Sequence, residues 1–181
     1  MRNKDIEKNI ENIIKNIDAD SERLRDTPKR VAQAYDEFFS GYSTDIKKIT
    51  GTIYESKIDD MVILKKIPFD SHCEHHIIPI IGTVSIGYIP NGKIIGTSKL
   101  ARIVDCFARR LQLQERMTME IANAILSILD PLGVGVYVEA EHFCMSHRGV
   151  RKHGTKFVTK YFLGNMKDNF DLRLEFLSEV K

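Results

Sequence analysis

The sequence predicts an α+β domain in which two strands, two helices and two further strands follow an N-terminal helical arm. Apolar residues recur with the period of a helix near the N-terminus and again over residues 98–129. On either side of that central helical stretch, apolar and polar residues alternate as they do in half-buried strands. No repeat, low-complexity tract or linker separates two independent domains. We expect a helical arm over residues 1–60 that is followed by the main domain over residues 61–181.

Two amphipathic helices make up the predicted arm. Isoleucines at helical spacing from Ile6 to Ile17, with Asn, Glu and Lys between them, indicate the first helix. Thr27 followed by Pro28 fits an N-cap and first helical position for the second helix, which we expect to end at Gly41. Residues 42 to about 60 are interpreted as a polar connector. The face that the second helix is expected to bury consists of Val31, Ala34, Tyr35, Phe38 and Phe39.

The main domain is predicted to begin with a pair of strands and to continue with helices. Residues 62–69 and 84–88 have the pattern of strands, and the second strand precedes a turn signal at residues 90–92. From Ser98 the helical period returns, and two consecutive helices, or one bent helix, extend to Asp130. The remaining predicted elements are strands over residues 134–140 and 155–163 and a short helix near residues 172–177.

Composition narrows the classes of partner. The 181 residues include 27 Lys and Arg against 25 Asp and Glu, a net charge of +2, without the basic runs that nucleic-acid binding needs. The longest apolar runs are too short to span a bilayer, and no secretory signal is visible. Three cysteines do not make a disulfide framework, so we expect free thiols and a cytoplasmic protein without nucleic-acid or membrane partners.

The histidines point to a metal site. All six fall in two windows, and each window also contains one cysteine: His72, Cys73, His75 and His76, then His142, Cys144, His147 and His153. The spacing of Cys73 and His76 lets a thiolate and an imidazole reach one ion, and strand parity predicts that Cys144 lies on the same face as His142. Three ligands with an open fourth position form a catalytic zinc site, which lowers the pKa of a bound water to about 7.

Spacing alone leaves other interpretations open. His72 or His75 could close a structural zinc tetrahedron, and either cysteine of the two windows could be an ordinary buried thiol. On spacing alone, a catalytic zinc site and these alternatives are about equally supported. Cys106 lies within the predicted helix beside Ile103 and Phe107, with no histidine near it in sequence. We therefore assign Cys106 to packing.

A possible substrate site comes from the central helices. Ser98 and Lys99 open a helix, where backbone N–H groups favour an anion, and Arg102 lies one turn further along the same face. Arg148 in the second Cys/His window could bind the same anion, although basic residues on a helix face are by default merely solvated. The carboxylate of Glu115 could accept the N1–H and 2-amino groups of a guanine with the amide of Gln114 beside it, yet such dipeptides are common on exposed helices.

Four motifs together resemble the GTP cyclohydrolase I family, the zinc-dependent type I enzymes. They are residues 73–76, 96–104, 112–116 and 142–150, and their order and spacing match from about Thr27 to the C-terminus. The resemblance implies the tunnelling fold, in which antiparallel sheets and paired helices of several subunits form a ring. It further implies a homodecamer of two pentameric rings with active sites between subunits, which removes the open sheet edges.

The resemblance also implies a reaction and roles for residues. GTP and water would give 7,8-dihydroneopterin triphosphate and formate, the first step of tetrahydrofolate and pterin biosynthesis. One Zn²⁺ per subunit would be held by Cys73, His76 and Cys144. His75 would act as general acid and base, and His142 would assist near the metal. Substrate contacts would come from Gln114, Glu115, Ser98, Lys99, Arg102 and Arg148.

Two alternatives of other classes accompany this interpretation. One is a non-catalytic, zinc-stabilised binding module in which His75 or His142 closes the coordination shell. The other is a thiol enzyme resembling the deazaguanine nitrile reductases, with Cys73 as nucleophile. His72, His147 and Lys160 depart from the family pattern, but none of them replaces an implied ligand. The sequence specifies neither the downstream pathway nor any regulator.

Overall fold

A computed structural model of the chain describes residues 2–17 and 22–181. The first of two packing units, Met1–Ser40, contains helices α1 (Arg2–Ile17) and α2 (Thr27–Phe38). Ile14 and Ala32 are buried, whereas Ile17 at the end of the predicted stripe is 78% exposed. The predicted cap is wrong by one position, because Asp26 occupies the N-cap and Thr27 already belongs to the helix.

The second unit, Gly41–Lys181, contains the sheet and the remaining helices. The prediction of a polar connector over residues 42 to about 60 is wrong, since this segment contains a short helix and a short strand. After a 3₁₀ turn at Ser40–Tyr42 the elements are α3 (Ile46–Thr50), β1 (Ile53–Glu55), β2 (Val62–Cys73), β3 (Pro79–Ile89), β4 (Lys93–Ile95), α4 (Thr97–Ala108), β5 (Leu111–Gln112), α5 (Gln114–Leu129), β6 (Gly133–His142), α6 (Phe143–Ser146), β7 (Phe157–Gly164), α7 (Asn165–Asp168) and α8 (Phe170–Val180). The predicted division into an N-terminal helical arm over residues 1–60 and a main domain over residues 61–181 stays a prediction.

The main sheet has the order β5-β2-β3-β6-β7, and its four long strands are antiparallel. This arrangement confirms the α+β class and the predicted order of strands, helices and strands. Strand β5 adds a short parallel pairing, in which Leu111 lies opposite His72 and Gln112 opposite Cys73. Because β5 separates α4 from α5, the central stretch forms two helices rather than one bent helix.

Helices α4 and α5 contribute to the core with one face of the sheet. Every second residue of the strands and the apolar stripe of each helix are buried in one cluster. This is expected, because side chains on one face recur every two residues in a strand and about every 3.6 residues in a helix. A second cluster contains Phe176 from α8 with Met166 and Tyr137. The register places Ile80 opposite His142 and His72 opposite Pro79, so the ends of β2 and β6 lie at the same edge of the sheet. No helix within the described ranges is long and apolar enough to cross a membrane.

Candidate active site

The turn between β2 and β3, residues 73–78, brings two potential metal ligands together, and we call it the metal loop. Two backbone hydrogen bonds close it: Ile77 N–H donates to Cys73 O at 2.8 Å, and Cys73 N–H donates to Ile78 O at 2.9 Å. Ile77 has a φ of 57°, which is rare for a β-branched residue. In this conformation Cys73 Sγ lies 3.5 Å from His76 Nδ1.

Cys144 approaches the metal loop from the end of β6. The strand-parity argument for it is wrong, because β6 ends at His142 and Cys144 lies in the helical turn α6. The turn nevertheless brings the ligand atoms of Cys73, His76 and Cys144 within 4.8 Å of one another. Burial raises the pKa of the Cys144 thiol, and the neighbouring Cys73 raises it further. Without a metal, the protonated thiol is therefore favoured at this position.

The three residues fit a zinc ion. Ligands about 2.3 Å (sulfur) and 2.05 Å (nitrogen) from zinc lie about 3.5 Å apart at the tetrahedral angle. The Cys73 Sγ to His76 Nδ1 distance of 3.5 Å matches this separation. Across residues 2–17 and 22–181, no fourth His, Cys, Asp or Glu joins the group, which leaves a position for a water or substrate atom.

Arg148 contacts the imidazole of His76. Its Nη1 lies 2.8 Å from His76 Nε2, and because a guanidinium only donates, Nε2 must accept. A neutral His76 then carries its proton on Nδ1, the atom that faces Cys73. A metal on Nδ1 would require the proton to be on Nε2. This hydrogen bond and metal ligation through Nδ1 are therefore mutually exclusive.

A buried amide orients His142. The His142 Nε2–H donates to Gln114 Oε1 at 2.8 Å. Gln114 is 1% exposed, and its Nε2 donates to the backbone oxygens of Val138 and Phe157 and to Thr159 Oγ1 at 3.0 to 3.3 Å. Burial lowers the pKa of His142, and Glu115 opposes this shift. The neutral form of His142 is therefore favoured, and its Nδ1 takes no part in the hydrogen bond to Gln114.

A cavity of about 420 Å³ connects these groups. It is lined by the potential metal ligands Cys73 and Cys144, by His75 and His142, and by Gln114 and Glu115. Imidazoles, a carboxylate and two thiols thus surround one space within the size range of small-molecule sites.

Comparison with known proteins identifies the family. A GTP cyclohydrolase I family model matches residues 6–181. The chain belongs to the GTP cyclohydrolase I family. Proteins named GTP cyclohydrolase 1 from Brucella suis and Brucella abortus are each 49% identical to it over 166 residues, covering 91% of this chain and 78% of theirs. A crystal structure of the archaeosine synthase QueF-Like in the apo form aligns with a TM-score of 0.49 and 21% identity, over 57% of this chain and 93% of that one.

The structure of this GTP cyclohydrolase I family member separates the predicted substrate residues into two groups. Glu115 and Gln114 line the cavity. Ser98, Lys99 and Arg102 lie in α4 and do not line it. Lys99 instead extends toward Gly51, where an added Cβ would lie 3.0 Å from its Nζ. One copy of the chain therefore does not bring the predicted anion site to the cavity that Glu115 lines.

Sequence reasoning missed several residues near the site of this GTP cyclohydrolase I family member. Met145, Lys156 and Phe157 also line the cavity, and no spacing pattern in the sequence marks them. Arg116 forms an ion pair with Glu74 of the metal loop at 2.5 Å. Glu74 and Arg116 fall within the motifs at residues 73–76 and 112–116, and this is the one feature of the sequence that marks them.

We expect Gln114→Ala to destabilise this GTP cyclohydrolase I family member by about 2–4 kcal/mol, because it removes a buried amide and leaves His142 and backbone acceptors unsatisfied. Urea unfolding monitored by circular dichroism measures the change in the free energy of unfolding. Gln33→Ala on the exposed face of α2 is the matched control, with an expected change within about 0.5 kcal/mol. Equal stability of the two variants would contradict the network described for Gln114.

Proposed function

We propose that this chain is a zinc-dependent GTP cyclohydrolase that converts GTP and water into 7,8-dihydroneopterin triphosphate and formate. One observation carries the proposal: the Cys73–His76–Cys144 cluster borders the same cavity as His75 and Glu115. Membership of the family supports this reaction, and the cavity is lined by the kinds of group that the reaction needs.

Cys73, His76 and Cys144 would hold the zinc ion, which when bound lowers the pKa of a coordinated water and polarises the substrate. His75 lies within the metal loop but is not part of the ligand cluster, so its imidazole remains available for proton transfer at the cavity. We assign it the proton delivered to N7 of the guanine ring. His142 is positioned by Gln114 and presents its other nitrogen for orienting water or substrate.

Glu115 is the proposed guanine anchor. It is the first-turn acidic residue of α5 and lines the cavity, where its carboxylate can accept both the N1–H and the 2-amino group. The side chain of Gln114 is already hydrogen-bonded to His142, Thr159 and two backbone oxygens. We therefore propose that Gln114 contributes by holding His142 rather than through a side-chain contact with guanine.

The triphosphate site requires residues from more than one subunit. Arg148 contacts His76 of the metal loop. Like Ser98, Lys99 and Arg102, however, it is not among the residues that line the cavity of their own chain. Strand β7 forms an open sheet edge, and Val158 on it is exposed. We propose a homodecamer of two pentameric rings in which α4 of a neighbouring subunit supplies the phosphate contacts.

Mixing two inactive variants tests this division. Arg102→Ala and Glu115→Gln homo-oligomers are each expected to be nearly inactive. Co-refolded mixtures should regain activity, because some interfaces then combine an intact Arg102 with an intact Glu115. Sedimentation velocity of the two variants and of their co-refolded mixture checks that they assemble. Assembled mixtures with no recovered activity would contradict a site shared between subunits.

The direct test of the proposed function is incubation with GTP before and after chelation and after zinc restoration. Pterin absorbance and formate release are followed together. Both products should appear only in the zinc-loaded protein. Formate without pterin would show that ring opening proceeds without the later rearrangement. Neither product from folded, zinc-loaded oligomers would overturn the proposal and favour the binding-module alternative.

A further inference from the structure

Glu74 stands between the two potential ligands of the metal loop and is bound to α5. Its Oε2 accepts a hydrogen bond from Arg116 Nη2 at 2.5 Å. Its backbone N–H donates to Gln112 O at 3.1 Å. The loop is thus fixed both by its backbone and by its side chain to the segment that leads into α5. Arg116 directly follows Glu115, the proposed guanine anchor.

Further hydrogen bonds hold Arg116 in place. Its Nε donates to Gln112 Oε1 at 3.0 Å, and its Nη2 also donates to Leu111 O at 3.2 Å. Gln112 is buried, and its Nε2 donates to Glu120 Oε2 at 2.8 Å and to a backbone oxygen of α4 at 3.0 Å. The guanidinium therefore has one preferred orientation. An oriented guanidinium restricts Glu74 far more than a freely rotating cation would.

The exposure of the pair shows where its effect lies. The Arg116 and Glu74 side chains are 38% and 31% exposed, and ion pairs of such exposure add little to the free energy of unfolding. Glu74 nevertheless belongs to the short turn that sets the distance between Cys73 Sγ and His76 Nδ1. A small rotation of this turn would change that distance directly.

We propose that Glu74 and Arg116 are positioning residues that hold the metal loop in the geometry for zinc and connect it to the start of α5. This inference rests on the proposed zinc site. Neither residue contacts the reacting atoms in the assigned mechanism. Their effect is on the affinity and geometry of the metal site, and through α5 on the placement of Glu115 relative to it.

The test measures the metal rather than turnover. Arg116→Met and Glu74→Gln are prepared metal-free, and zinc affinity is determined by competition with a chromogenic chelator. The absorption spectrum of the Co²⁺-loaded proteins reports the coordination geometry. Lys65→Met is the matched control, because it removes a similar ion pair, to Glu179 at 3.2 Å, away from the loop.

We expect both variants to bind zinc about 10- to 100-fold more weakly than the parent, the range found when groups supporting metal ligands are lost. Their Co²⁺ bands should shift, while Lys65→Met keeps the parent affinity and spectrum. Parent-like affinity and spectra in both variants would overturn the inference. A parent protein that binds no zinc would instead overturn the proposed zinc site. Glu74→Gln keeps the size of the side chain, so the test survives if Arg116→Met does not fold.

Discussion

Cys73→Ser is expected to reduce formate release from GTP by more than about 100-fold, because even supporting groups of metal ligands cost about 10- to 100-fold when lost. Cys73 ends β2 and is buried, and its sulfur lies 3.5 Å from His76 Nδ1. A serine hydroxyl is a weaker zinc ligand that remains protonated at neutral pH. Zinc content after gel filtration and the initial rate of formate release are the two measurements.

Cys106→Ser is the matched control for that substitution. Cys106 is equally buried, but it lies in α4, where it accepts a hydrogen bond from Arg110 at 3.4 Å and belongs to no ligand cluster within the described residues. It should keep one zinc per subunit and nearly parental activity. Stoichiometric zinc in Cys73→Ser would count against its role as a ligand, and loss of zinc in Cys106→Ser would show that packing alone explains the effect.

The regular elements were predictable because burial imposes a period on them. Strands β2, β3, β6 and β7 and helices α4 and α5 each place one face against a shared core, and that face is visible in the sequence. Helix α3 and strand β1 were missed because each has five residues or fewer, too short to show a period. Their positions depend on contacts with α4 and β4, which lie far along the chain.

The site was predictable in its chemistry but not in its geometry. Parity indicates the face of a strand residue, but it does not indicate where the strand ends, so the helical turn at Cys144 could not be foreseen. The commitment of Gln114 to His142 and Thr159 depends on the packing of α5 against β6 and β7. The separation of Ser98 from the cavity that Glu115 lines depends on how α4 packs in the folded chain, which no spacing pattern indicates.

Glu115→Gln is expected to lower kcat/KM for GTP by about 10²- to 10⁴-fold, since hydrogen bonds to a charged group contribute about 1.5–3 kcal/mol each and two are at stake. An amide offers one acceptor oxygen, and its NH₂ group would face a guanine donor. Steady-state kinetics with GTP and inosine triphosphate, which lacks the 2-amino group, measure the effect. The preference of the parent enzyme for GTP should shrink in the variant.

Zinc content separates recognition from metal loss in this experiment. Glu115 lies outside the ligand cluster, so Glu115→Gln should retain the parental zinc content and Co²⁺ spectrum. Glu139→Gln is the matched control, because Glu139 lies on β6 and does not line the cavity. An unchanged preference between the two nucleotides in Glu115→Gln would show that guanine is recognised elsewhere. With inosine triphosphate only the hydrogen bond from N1–H is at stake, so Glu115→Gln should lower kcat/KM less for this nucleotide than for GTP.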